Sequence, residues 1–224
     1  MTTFCAERKI QKKRFALNEL LKSLTEQAKR LIELGYHTAL NMTEEAFLAY
    51  ILETVGRQIP PSLEVPEDRF PALLVIPDII GILPFETQLE LLGIESDLKR
   101  PIRDIKGVTT PNHPSLTFGV QYIKSGDDVP LETLISRFQS DQYSNDQFLT
   151  LAQSLAMLGQ FNELLDFCEG LVIAGSSWYI GGTRCIGVYT RLDGERRIIS
   201  RSVHANYCGY LFGYCTRKPR ALQP

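Results

Sequence analysis

The chain has 224 residues, 44% of them hydrophobic and 22% charged, with a formal net charge of −2. Such a composition belongs to an ordinary globular protein able to bury most of its apolar surface, and its balance gives no global attraction to nucleic acid or to an anionic membrane. The opening MTTFCAERKIQKKRF is charged where a signal peptide needs an apolar core. The most apolar stretch, 72–85, is broken by Pro77, Asp78 and Pro84 and is too short to span a bilayer.

In chain order, residues 7–34 read as one long helix. Ile10, Leu17, Leu24 and Leu31 recur every seven residues, with Leu21 and Ala28 between them. Arg14 interrupts the stripe and rules out a long coiled-coil seam. Gly35 ends this helix, and Thr43 caps a second one carrying Phe47, Tyr50, Ile51 and Val55 on one face. Residues 1–58 are therefore expected to form a helical hairpin.

A proline-rich connector (59–71) leads to a short strand, ALLVI (72–76). PFETQLELLG (84–93) reads as a helix closed by Gly93, DLKRPIRDIKGVTTPNHP (97–114) as loop, and SLTFGVQYI (115–123) as a strand. PLETLISRF, capped by Asp128, and SNDQFLTLAQSLAML (144–158), opening on Ser144 and Gln147 in capping-box spacing, read as helices. From Leu171 to residue 217 the character turns to β. The sum is a single α+β domain (1–224): a helical hairpin packed on a mixed or antiparallel sheet, a mixed segment (70–170), and a C-terminal antiparallel sheet (171–217).

The sharpest local signal is TRLDGERR. Asp193-Gly194 between two strand-like runs forms a two-residue hairpin turn, which pairs Leu192 with Glu195, Val188 with Ile199 and Cys185 with Ser202. Alternation then sorts Ile186, Val188, Thr190, Leu192, Ile199 and Val203 onto a core face, and Cys185, Tyr189, Arg191, Ile198, Ser202 and His204 onto the other. Thr183 lies opposite His204, with Cys185 as its diagonal neighbour.

That geometry motivates a thiol hypothesis. A cysteine acts as a nucleophile only as the thiolate, and a nearby histidine can take its proton. Cys185 with His204, oriented by Asn206, supplies the parts for a hydrolase or acyl transferase, against the plainer alternative of a buried, inert cysteine. No metal site is expected: His204, Cys208 and Cys215 lack the close pairing of structural zinc ligands. No cofactor motif appears either. AGSSWY (174–179) lacks the last glycine and the following helix of a nucleophile elbow, and GGTRCIG lacks phosphate-loop spacing.

Elsewhere the signals are plainer. The basic run Arg8, Lys9, Lys12, Lys13, Arg14 is expected to be a solvated helix face, so nucleic-acid binding is disfavoured. Asp127-Asp128 serve as a cap, and His37 and His113 stand alone. Five cysteines at irregular spacing argue against a disulfide framework and for a reducing cytoplasm. Trp178, Tyr189, Tyr207, Tyr210 and Tyr214 gather in the last quarter of the chain, as rings lining a pocket or a protein interface do, with simple core and rim packing as the equal alternative.

The motifs taken together resemble a family of uncharacterised bacterial proteins, a domain of unknown function. They are LGY (34–36) before MTEEAF (42–47), the Val75-Ile76-Pro77 strand end, Gly175-Ser176 before Arg184, Gly187, Val188 and Tyr189, then Asn206 followed by Tyr210 and Leu211. The resemblance implies a fold unit and no activity, and Cys185 and His204 fall on none of its matched positions. The expectation is a cytoplasmic binding module whose aromatic C-terminal sheet surface receives a protein or small-molecule ligand, with the Cys185/His204 enzyme as the alternative. The oligomeric state is left open.

Overall fold

The computed structural model describes residues 12–54, 62–66, 69–74, 83–98, 115–122, 132–133, 136, 146–161, 170–192, 195–205, 207 and 210–216. The fold is α+β: helices dominate the first part of the chain and strands the last. Among the described residues, one sheet contains eight strands.

The first helix is shorter than its heptad pattern suggests. Lys12–Ala16 is a strand, β1, paired antiparallel with β2 (Ser62–Pro66), and α1 runs only over Leu17–Glu33. Lys12, Lys13 and Arg14 of the basic run therefore lie in an extended segment instead of on a helix face, and Arg8 and Lys9 lie outside the described residues. Arg14 also donates a hydrogen bond to Ser62 across that pair at 3.2 Å. At the start of α1, the Glu19 carboxylate accepts from the Ala16 amide at 2.8 Å, so the helix is fixed where the strand ends.

Gly35 ends α1 as expected, and a single turn, α2 (Tyr36–Ala39), leads to α3 (Glu44–Thr54). Leu20, Leu24, Ala28 and Leu31 of α1 pack with Tyr36, Phe47 and Ile51 into one core. The helical hairpin thus survives without its first turns, and Val55 lies outside the described residues.

Tyr36 is fully buried, and its hydroxyl has no hydrogen-bond partner among the described residues. Burial pushes its phenol above the ordinary value of 10.0, and Tyr207 is raised for the same leading reason. As pH rises past about 10, the unfolded chain loses these protons before the folded one does, so stability falls. Tyr36→Phe removes the orphan hydroxyl and Tyr36's share of that fall. Urea melts should show a variant more stable by about 1 kcal/mol at neutral pH and a flatter stability curve between about pH 9 and about pH 11.

The proline-rich connector holds β2 and the start of β3 (Arg69–Leu74), which runs into the first three residues of the expected strand 72–76, the last two lying outside the described residues. The next helix, α4 (Phe85–Leu92), ends at Gly93 as read from sequence, and β4 (Glu95–Ser96) and β5 (Ser115–Tyr122) follow. The helix expected after Pro130 falls largely outside the described residues. The stretch 144–158 divides differently from the sequence expectation. Asp146–Phe148 is a strand, β6, and α5 spans Leu151–Gln160. The capping box is formed by Thr150 and Gln153, whose side chains each bond the other's backbone amide, instead of by Ser144 and Gln147. Both pairs have the same spacing, but Gln147 lies in β6, where it pairs with Cys215 of β10.

Strands β7 (Gly170–Ile180), β8 (Thr183–Leu192) and β9 (Glu195–Ser202) form an antiparallel meander. The pairing of β8 with β9 is the one the Asp-Gly turn dictates: Leu192 with Glu195, Val188 with Ile199, Cys185 with Ser202. A second two-residue turn, Gly181-Gly182, joins β7 to β8 with both φ values positive, at 56° and 82°.

The last strand, β10 (Tyr210–Thr216), does not join β9. The sheet order is β3-β5-β10-β7-β8-β9-β4, with β6 also on β10, and β10 runs parallel to β7. This corrects the expectation of a wholly antiparallel C-terminal sheet. The chain leaves β9, crosses β8 and β7, and inserts between β7 and β5. Its crossing residues Val203, Tyr207 and Tyr210 pack on Val172, Ile186 and Val188.

A second correction follows from packing on both sides: from Cys185 to Thr190, both faces of β8 are buried. Helices α4 and α5 cover the face holding Leu171, Ile173, Cys185, Tyr189 and Ile198, while the crossover packs on the other. The side not named as core is as deep in it as its opposite.

Candidate functional site

Built from its residues, the C-terminal cluster is structural. Tyr207 donates its hydroxyl to the Ser202 carbonyl at 2.5 Å, tying the crossover back to the end of β9. The Arg201 guanidinium lies 5.4 Å from the Tyr207 ring centre and 5.8 Å from that of Tyr210, and the two rings meet edge to face. Trp178 lies close over Gly187, which has no side chain to exclude it, and donates its indole N–H to Ser200 at 3.1 Å. One ring thus spans three strands.

These contacts decide the aromatic surface. Trp178, Tyr189, Tyr207 and Tyr210 are 3%, 1%, 3% and 8% exposed, so the rings expected to meet a ligand are core residues instead. Helices α4 and α5 cover Trp178 and Tyr189, while Tyr207 and Tyr210 belong to the crossover and pack on the other face, contacts that the sequence pattern did not reveal. Tyr214 lies in β10, opposite Gly119 of β5, and its side chain is outside the described set. The exposed ring of this region is Tyr179, beside Ile180 at the tip of the β7–β8 hairpin.

The thiol pair is placed as follows. Cys185 is buried, and its Sγ donates to the Thr183 carbonyl at 3.6 Å. His204 is exposed in the turn after β9, where its backbone amide donates to Ser202 Oγ at 3.1 Å. No hydrogen bond joins Cys185 to His204 among the described residues, and Asn206 lies outside them. Among the described residues no group of three metal-ligating side chains occurs.

The rejected nucleophile elbow has a definite role. Ile173 pairs with Gly187 but Ser177 with Ile186, so Ala174, Gly175 and Ser176 bulge from β7. The bulge clasps the start of α5: the Gly175 amide donates to Leu149 O at 3.1 Å, and Ser176 Oγ accepts from the Leu151 amide at 2.8 Å. Ser176 is fully buried and satisfies one of the helix's orphan N–H groups. Ser176→Ala should lower stability by about 1 kcal/mol in thermal melts without altering the fold.

A different site emerges where three helices end. The last turn of α1 (Arg30, Glu33, Leu34), the end of α4 (Leu92) and the end of α5 (Leu158, Gly159) surround a cleft of about 310 Å³ closed by Arg196 of β9. Helix ends expose carbonyls without intrahelical partners. The Arg30 guanidinium donates to the Gln160 carbonyl, and Arg196 Nη1 donates to Leu92 O at 3.5 Å, so each arginine seats on the C-terminus of a neighbouring helix. Gly159 keeps the floor open, because a Cβ there would stand 3.3 Å from Leu92 and 3.4 Å from Leu31.

Glu33 is the cleft's acid. It is exposed and has no ion-pair partner among the described residues. The buried Gln160 side chain at the same helix end leaves its Oε1 unpartnered among the described residues. A broader groove of about 540 Å³ between α1 and α3 has Lys29, Glu33, Glu44 and Glu45 on exposed walls, and it lacks the convergence of buried helix ends.

Nothing in the sequence flagged Arg30 and Arg196 together, since they lie at opposite ends of the chain with no shared motif. The only local hint was an arginine in the last turn of a helix. No helix among the described residues is long and apolar enough to cross a membrane. No family model, no curated protein and no solved structure matches the chain, so the cleft's chemistry has to be argued from its own residues.

Proposed function

We propose that the protein is a cytoplasmic small-molecule-binding module whose ligand occupies the Arg30–Arg196 cleft. The carrying observation is the convergence of three helix C-termini, two arginines and an apolar wall of Leu34, Leu92 and Leu158 on one concavity. Its volume falls at the lower end of the roughly 300–1,000 Å³ typical of ligand sites, which are mostly apolar with a few placed polar groups. Membership of the bacterial family that the sequence motifs resemble is part of this proposal and adds no activity to it. Catalysis by Cys185 and His204 is not, because the thiol is buried and already hydrogen-bonded to Thr183.

The test is saturation-transfer NMR with small neutral, cationic, anionic and zwitterionic fragments on wild type, on Leu34→Trp, which crowds the half-buried rim, and on Gly159→Ala, which narrows the floor. Fragments that bind wild type and lose their signal in both variants support the cleft. No binder, or binders indifferent to both changes in folded protein, would remove it as the ligand site.

A further inference from the structure

The charges around the cleft restrict what it can hold. A helix C-terminus carries roughly half a negative charge. Three such ends, those of α1, α4 and α5, border this cleft together with the Glu33 carboxylate. The two arginines offset that negative charge, so the sum lies close to zero. A simple anion would meet three negative helix ends. A simple cation would meet two guanidiniums. The charges sit on different elements of the rim: Glu33 and Arg30 at the end of α1, Arg196 in β9.

We infer that the cleft binds a zwitterionic amino acid with an apolar side chain. Its carboxylate is received by Arg196, its ammonium by Glu33, and its side chain by Leu34, Leu92 and Leu158. A guanidinium has five N–H donors. Among the described residues Arg196 makes one hydrogen bond, to Leu92 O, which leaves donors for a carboxylate while the same contact holds the side chain in place. Glu33, exposed in the last turn of α1 and without an ion-pair partner among the described residues, offers acceptors to an ammonium. The cleft's 310 Å³ leaves room for one such molecule and not for a peptide of several residues. No bond is made or broken; the assignment is one of binding.

This inference rests on the cleft being the ligand site, and its test separates the two. Isothermal titration of the full chain would compare L-leucine with 4-methylpentanoate, which lacks the ammonium, and 3-methylbutylamine, which lacks the carboxylate. Leucine should bind at least about tenfold more tightly than either, as expected for one charge-assisted hydrogen bond lost. Glu33→Gln should weaken leucine about tenfold and leave 4-methylpentanoate unchanged, while Arg196→Gln should weaken leucine and leave 3-methylbutylamine unchanged. Arg196→Lys, which keeps the charge, should restore part of the loss, and circular dichroism checks that each variant is folded.

If either half-molecule binds as well as leucine, the zwitterion assignment is wrong although the cleft remains a ligand site. If none of the three binds while other fragments do so in a cleft-dependent way, the assignment fails alone. If leucine binds but ignores both substitutions, the assignment and the cleft fail together.

Discussion

Gly175→Ala is expected to destabilise the protein by about 3 kcal/mol, lowering Tm by roughly 6–12 °C for a chain of this size. A Cβ at this position would lie 2.4 Å from the Phe148 carbonyl oxygen and 2.5 Å from that of Leu149. Both are backbone atoms, so relief requires moving the chain instead of turning a side chain. The segment that would move delivers the Gly175 amide to Leu149 O and the Ser176 hydroxyl to the Leu151 amide, and the start of α5 would lose its clasp. Gly182→Ala is the control. Its Cβ meets nothing within 4 Å and only the positive φ of 82° resists it, so it should cost about 1 kcal/mol. Equal thermal shifts for the two variants would mean that the bulge does not hold the helix as described.

Trp178→Ala is expected to cost about 3–5 kcal/mol, the range for removing a large buried aromatic. The indole is 3% exposed, packs over Gly187 and bonds Ser200, so its loss leaves a cavity across β7, β8 and β9. Ser200→Ala removes only the indole's acceptor and should cost about 1 kcal/mol. A surface tryptophan kept for a partner would instead lie within about 0.5 kcal/mol of wild type when replaced. Urea unfolding followed by the emission of this single tryptophan in the wild type, and by circular dichroism in the variants, separates the two cases. A small effect for Trp178→Ala would return the residue to the surface and reopen the aromatic face as an interface.

What the sequence made legible is local. Asp193-Gly194 determined the pairing of β8 and β9 residue by residue, because a two-residue turn leaves no freedom in register. Pro84 and Gly93 bracketed α4 to within a residue, and Gly35 marked the end of α1. The errors arise where two local signals compete or where the outcome depends on distant chain. Lys12–Ala16 lies between the heptad positions Ile10 and Leu17 and was read as helix despite Arg14, but it pairs with Ser62–Pro66, a partner about fifty residues away that no local periodicity reveals. Ser144-x-x-Gln147 and Thr150-x-x-Gln153 have equal claim to a capping box, and tertiary pairing of Asp146–Phe148 with β10 settles the choice.

The site was less legible than the fold. Alternation correctly divided β8 into its two faces, but it named only one of them as core. Covering that face required α4 and α5 to pack on Cys185, Tyr189 and Ile198, a contact between elements far apart in the chain. The same helices buried Trp178 and Tyr189, and the packing of Val203, Tyr207 and Tyr210 on the opposite face buried two more of the rings that composition alone had grouped as a surface. Arg30 and Arg196 meet at the cleft only because three helices end there, and helix ends converge through packing instead of through sequence spacing.

The most direct test of this account is an amide chemical-shift map of the full chain titrated with L-leucine. Shifts are expected to concentrate at Glu33–Gly35, Leu92–Gly93, Leu158–Gln160 and Arg196, with the β7–β8 hairpin tip and Val203, Tyr207 and Tyr210 unmoved. Shifts gathered instead at Tyr179–Gly182 or along the crossover would contradict that expectation and place the binding surface on the C-terminal sheet.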